Sequence, residues 1–182
     1  MPKVKVNGVE LFYEQTGNSG EPLVLVHGSW VNHHNWDRVV PILAQSFQVV
    51  TYDRRGHSQS ERPSRAGSIR QDAADLAALI EALHIAPAHI VGHSFGGSIV
   101  LRLAAERPDL FRCLVVHEPP LLGLLANDPE GQKLLDSIQP RIQAVIERLE
   151  SGDMEGGCSC LLKRLPLVLA NGLRYLPNLS RW

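Results

Sequence analysis

The sequence predicts an α/β fold, a doubly wound, mainly parallel sheet entered through an N-terminal hairpin. Three observations carry this. Over residues 23–117, short apolar runs alternate with segments of helical period, and the connections between them are short. Leu23-Val24-Leu25-Val26 is continuously apolar, as a strand buried on both faces of a parallel sheet must be. Near the start, Asn7-Gly8 separates two alternating runs, the strongest short-range signal of a hairpin.

Each element follows in order. Val4 and Val6, then Val9, Leu11 and Tyr13, alternate on either side of Asn7-Gly8. Gly17-Asn18-Ser19-Gly20-Glu21-Pro22 is a loop that delivers the first parallel strand, which ends at His27-Gly28-Ser29-Trp30. A helix is expected over residues 35–45, with Pro41 kinking it or marking a late start. Phe47-Gln48-Val49-Val50-Thr51-Tyr52 is the next strand, closed by Asp53-Arg54-Arg55-Gly56-His57-Ser58. Ser68 and Gln71 form a capping box, and Ile69, Ala73, Leu76, Ile80 and Leu83 repeat at helical spacing behind it. After the strand Ala88-His89-Ile90-Val91 comes a second helix, ending near Arg107-Pro108, and then a strand over residues 113–117. Asp128-Pro129 starts a further helix, with Asp at N-cap and Pro at N1. Its stripe of Leu135, Ile138, Ile142, Val145 and Leu149 is expected to bend or break at Pro140 and to stop at Ser151-Gly152-Asp153.

The chemistry is concentrated at Gly92-His93-Ser94-Phe95-Gly96. This is G-x-S-x-G with a strand before it and a helix after it, the context that makes the motif a nucleophile elbow. A turn that tight has no room for Cβ atoms two residues before and two after Ser94. It lifts the Ser94 hydroxyl above the sheet and aims the N–H of Phe95, at the helix N-terminus, toward a developing oxyanion.

Together with His27-Gly28-Ser29-Trp30 and Tyr52-Asp53-Arg54-Arg55-Gly56-His57-Ser58-Gln59-Ser60, the elbow resembles the α/β-hydrolase fold superfamily. The closer likeness is to small cofactor-free esterase, lactonase and perhydrolase-like members. It covers a core over residues 1–125, with a looser helical cap over 126–155. The resemblance implies nucleophilic acyl transfer. Ser94 attacks a carbonyl, a histidine takes its proton, an acid orients that histidine, and water cleaves the acyl-enzyme. It makes Ser29 N–H a second oxyanion donor beside Phe95, and Trp30 and His93 pocket residues. His27 becomes a structural side chain, while Asp53, Arg54 and His57 become loop bracing with Asp53 and Arg54 in ion pairs. No cofactor and no metal are implied. Related dehalogenases and epoxide hydrolases place aspartate at the elbow, so a serine there argues against those chemistries.

One departure stands out. The order of the triad in this fold is Ser, then Asp or Glu, then His. The chain's eight histidines are His27, His33, His34, His57, His84, His89, His93 and His117, all but two of them before Ser94 by more than three residues. None lies beyond His117, so the C-terminal part of the core that would deliver acid and base is expected to be missing. Glu118 is the possible orienting acid, just after the strand that follows the elbow helix. Residues 156–182 are Leu-rich, without acidic residues or a clear period. Back-translated and read one nucleotide out of register from Leu161, they can spell a cap-like sequence with its acids restored. The expectation is therefore a truncated or frameshifted serine hydrolase, impaired in turnover. The alternative is a non-catalytic protein that binds a small ligand in the same pocket.

Composition limits the partners. A net charge of −1 offers no electrostatic case for nucleic acid or an anionic membrane. No apolar run approaches the length of a membrane span, and the N-terminus alternates like a strand instead of carrying a signal peptide. Cys113, Cys158 and Cys160 make no disulfide framework, and Cys158-Ser159-Cys160 lacks a second ligand pair for zinc. His33 and His34 are expected to be solvated residues at a helix start. A cytoplasmic protein acting on a small molecule is expected, with self-association possible through an exposed sheet edge.

Overall fold

The computed structural model describes residues 2–63 and 67–153. The chain divides into two compact units between Pro120 and Leu121.

The first unit is a six-stranded sheet in the order β1-β2-β4-β3-β5-β6. Strands β1 (Lys3–Val6) and β2 (Val9–Thr16) form the hairpin, pairing Val6 with Val9. Asn7 and Gly8 both take positive φ, at 44° and 78°, as a two-residue turn matched to the strand twist requires. Strand β2 runs antiparallel to β4 (Phe47–Tyr52). From there β4, β3 (Glu21–Val26), β5 (Ala88–His93) and β6 (Phe111–His117) are all parallel.

Helix α1 (Val40–Leu43), behind a 3₁₀ turn at His33–Trp36, packs on one face of the sheet. Val40 and Leu43 lie against Leu23, Leu25 and Val49. The helix begins late, with Pro41 in its first turn, where its missing N–H costs nothing. Helices α2 (Ile69–Ala82) and α3 (Phe95–Glu106) cover the other face. There Leu76, Leu79, Ile80, Ile99 and Leu103 pack on Val24, Val26, Val50 and Ile90. The capping box at Ser68 and Gln71 is formed in full.

This layout fixes where a site can lie. Strand β3 leads to β4 on one side, and β4 then leads to β5 on the other side of β3. Strand order therefore reverses between β3 and β5, and the crevice outside their carboxyl ends is where open α/β sheets bind ligands. His27-Gly28 and Ser94 both emerge there.

In the second unit, α4 (Pro129–Glu150) runs through Pro140, so of the bend or break expected there the break is absent. A proline removes one i→i−4 bond, and the intact turns on both sides hold the helix together. Asp128 accepts from Gly131 N–H at 2.6 Å, and Gly152 in the left-handed region closes the other end, with Asp153 N–H donating to Arg148 O. Ile138 and Val145 are buried. Among the described residues no helix is long and apolar enough to cross a membrane. Residues 156–182, read above as an atypical tail, lie outside the described residues.

Candidate active site

Ser94 is held at φ 53° and ψ −123°, a conformation costly for any residue with a Cβ. The surroundings enforce it. A Cβ at Gly92 would come within 2.5 Å of Gly96 O, and one at Gly96 within 2.3 Å of Val26 O and 2.6 Å of His27 O. Glycine at both places lets α3 begin directly over the ends of β3 and β5. Ser94 N–H donates to His117 O at 2.8 Å, so the end of β6 ties down the turn from the other side. The Ser94 carbonyl accepts from Gly97 N–H at 2.8 Å and starts the helix. The Phe95 amide, at the first position of α3, has no partner within the helix. A Cβ at Gly28 would sit 3.0 Å from Ser94 Cβ, which brings the loop carrying Ser29 alongside the nucleophile position.

Beneath that loop lies a buried polar cluster centred on Arg54. Its guanidinium donates to Gly28 O at 3.1 Å and to His57 Nε2 at 3.1 Å, and pairs with Asp72 at 3.3 Å. It also stands 5.2 Å from the centre of the Phe95 ring. His27 Nε2 accepts from Arg54 N–H at 3.0 Å, so its proton is on Nδ1 and is donated to Gly28 O at 2.8 Å. Burial first, and the Arg54 charge second, pull the His27 pKa down to about 3. The ring is a neutral strut, as the resemblance implied. His57 is likewise pushed below its ordinary value by burial and then by Arg54.

Asp53 braces the next layer. Its Oδ1 accepts from both the N–H and the ring Nδ1 of His33, at 2.9 and 2.8 Å, and its Oδ2 from Gln59 N–H at 3.0 Å. Burial raises its pKa, but these hydrogen bonds outweigh it and the net shift is downward. His33 is thus a buried partner of Asp53, and the expectation of a solvated residue is corrected. His34 is exposed and pairs with Asp37. The 3₁₀ turn brings the two rings together, with centroids 4.0 Å apart, so that His33 lies inside against Phe12 and Asp53 while His34 sits outside it. Arg55 completes the bracing with a bidentate pair to Asp75 at 2.6 and 2.7 Å.

The eight histidines can now be placed. His27, His33, His34, His57 and His89 have partners away from Ser94, and His84 lies beyond the end of α2. Only His93 and His117 stand at the carboxyl ends of β5 and β6, with Glu118 beside them. Trp30 is 48% exposed at a φ of 58°. Sequence reasoning did not see His33 reaching Asp53, nor Arg54 reaching Gly28 and Phe95. Those contacts join positions 20 to 41 residues apart, and no local spacing encodes them.

A family model described as the alpha/beta hydrolase fold matches residues 21–149. The chain belongs to the α/β-hydrolase fold family. A bifunctional esterase/perhydrolase from Acinetobacter calcoaceticus is 31% identical over 143 residues, covering 75% of this chain and 52% of the relative. A dihydrolipoyllysine-residue acetyltransferase component of an acetoin cleaving system, from Pseudomonas putida, is 37% identical over 194 aligned positions, covering 97% of this chain and 52% of the relative. An alignment of that extent takes in most of residues 156–182. Among solved structures, an epoxide hydrolase from Bacillus megaterium superimposes with a TM-score of 0.76 at 25% identity, covering 88% of this chain and 59% of that one. The chain spans about half the length of the curated relatives it matches. For an α/β-hydrolase of this kind, the β3–β5 crevice with Ser94 at its rim is the candidate active site.

Proposed function

We propose that the chain is a serine hydrolase acting on small, uncharged esters, lactones or related acyl compounds through an acyl-enzyme on Ser94. The observation that carries this reading is the backbone of Ser94, held in a strained turn between β5 and α3 by glycines that admit no side chain. Strain of this kind is kept where it serves a function. Ser29 and Phe95 N–H groups are the proposed oxyanion donors, Trp30 and His93 the pocket residues, and Glu118 the orienting acid. The free, exposed Cys113 suits a cytoplasmic setting.

Turnover by this chain is proposed to be slow. A serine hydroxyl needs a base, and His27 and His57 are tied into the Arg54 cluster with their pKa values lowered. In a serine hydrolase, removing the base costs on the order of 10⁶ in turnover, while oxyanion stabilisation and binding keep roughly 10³–10⁴ over water. Hydrolysis of p-nitrophenyl acetate tests the reading. Slow release that drops further in Ser94→Ala is expected, and equal rates in the two proteins would overturn it. Peroxide-dependent halogenation would assign the perhydrolase variant. Tight binding of a small ligand without turnover would favour the non-catalytic alternative.

A further inference from the structure

His93 and His117 are register partners at the carboxyl ends of two parallel strands, so both side chains leave the same face of the sheet. Their ring centroids are 5.3 Å apart with 31° between the planes. Glu118 follows His117, and in a continuing strand its side chain would leave by the opposite face. Its φ of 50° breaks that alternation and returns the carboxylate to the imidazoles. One ring nitrogen from each histidine and one Glu118 oxygen all lie within 4.8 Å of one another.

We propose that His93, His117 and Glu118 form a binding site for a divalent transition-metal ion of the zinc class. Two imidazoles and a carboxylate are the donor set of zinc sites that keep a position open. At Zn–N and Zn–O distances of about 2.0–2.2 Å, donors around a tetrahedral ion stand roughly 3.3–3.5 Å apart. The three atoms must therefore draw in by up to about 1.5 Å. His117 and Glu118 are exposed and can do so by side-chain rotation. The backbone beneath them is fixed by the hydrogen bond from Ser94 N–H to His117 O. The His93 Nδ1 is buried and has no hydrogen-bond partner among the described residues. Cys113 shares the face but lies four residues before His117, about 13 Å along the strand, out of reach of the same ion. The sequence hides the site, since its ligands come from two strands with a helix between them.

The inference goes beyond the acyl-transfer reading and does not rest on it. Zinc titration of the 182-residue chain against a chromophoric chelator, with Co²⁺ absorption as a second readout, tests it. Saturable binding of one ion per chain is expected, with a cobalt spectrum free of thiolate charge-transfer absorption. Loss of an outer-shell group alone weakens metal sites by about 10–100-fold, so His117→Asn and Glu118→Gln should each weaken binding by at least about tenfold. Both side chains are exposed, and circular dichroism checks that the variants remain folded. Binding should be unchanged in Ser94→Ala, Cys113→Ser and the double variant Cys158→Ser/Cys160→Ser. Absence of saturable binding, binding indifferent to His117→Asn and Glu118→Gln, or binding lost with the cysteines would each overturn the proposal.

Discussion

The two sides of the Ser94 turn are built differently. On the β3 side, Arg54, His27, Asp53 and Asp72 are buried, and they tie Gly28, His33, His57 and α2 together. On the β6 side, one face packs Leu114 and Val116 against α3, while the other exposes Cys113, Val115 and His117. Val115 is 51% exposed. No described strand pairs with the outer edge of β6. The proposed oxyanion side is thus held by groups that cannot move without breaking buried hydrogen bonds or ion pairs. The side proposed to hold the acid exposes His117 and Glu118. On the proposed reading, the Ser94 backbone is fixed by one half of the site while the other half is exposed.

Substitutions should separate the two sides, beginning with the tightest contact. Gly96→Ala drives a Cβ into two backbone carbonyls of the β3 end, so it should cost about 3 kcal/mol or more, read from denaturant unfolding. Arg54→Ala strands the buried Asp72 and removes one of the two hydrogen bonds to Gly28 O, leaving that from His27. A loss of about 3–5 kcal/mol is expected, together with loss of Ser94 reactivity toward fluorophosphonate. A change below ~1 kcal/mol in either variant would mean that the β3 side is no more rigid than the β6 side.

Acid should attack the β3 side first. His27 has a folded pKa of about 3, far below its unfolded value, so the unfolded chain binds the proton more readily. Its contribution is complete above the unfolded value near pH 6.5 and is lost as pH falls toward 3. The loss is on the order of 4 kcal/mol, and His57 acts in the same direction. Asp53, with its pKa lowered, withdraws its stabilisation at still lower pH. Asp72 opposes the trend. Burial, only partly offset by Arg54, raises its pKa, so the fold gains relative to the unfolded chain as that carboxyl is protonated. Unfolding free energy measured between pH 7 and 3 should therefore fall, and fall less steeply in a His27→Asn background.

The smallest effect belongs to the β6 border. Val115→Lys touches an exposed position and should change stability by less than about 0.5 kcal/mol. A free edge beside an apolar face is also the proposed route to self-association, and a charge there should shift light scattering toward the monomer. An unchanged distribution of species would remove β6 from that role.

How much of this was legible in the sequence follows the range of each interaction. The hairpin at Asn7-Gly8, the Ser68 capping box and the Ser94 elbow are encoded within a few neighbouring residues, and each could be read directly. Pro140 signalled a bend or a break, and the break did not form because its cost is local while the helix on either side is continuous. The pairing of His33 with Asp53 depends on the sheet bringing the ends of β3 and β4 together, and the meeting of His93 with Glu118 depends on the β5–β6 register. Neither leaves a mark in local composition.

The contrast between the two sides is tested most directly by the pH dependence of Ser94 acylation with a fluorophosphonate between pH 5 and 9, with the modified residue mapped. If the β3 side alone is built, Ser94 should react slowly, and the rate should climb with pH without a step in the histidine range near 6–7. A sigmoidal profile with its midpoint in that range, abolished by His117→Asn, would contradict the account and make His117 the base.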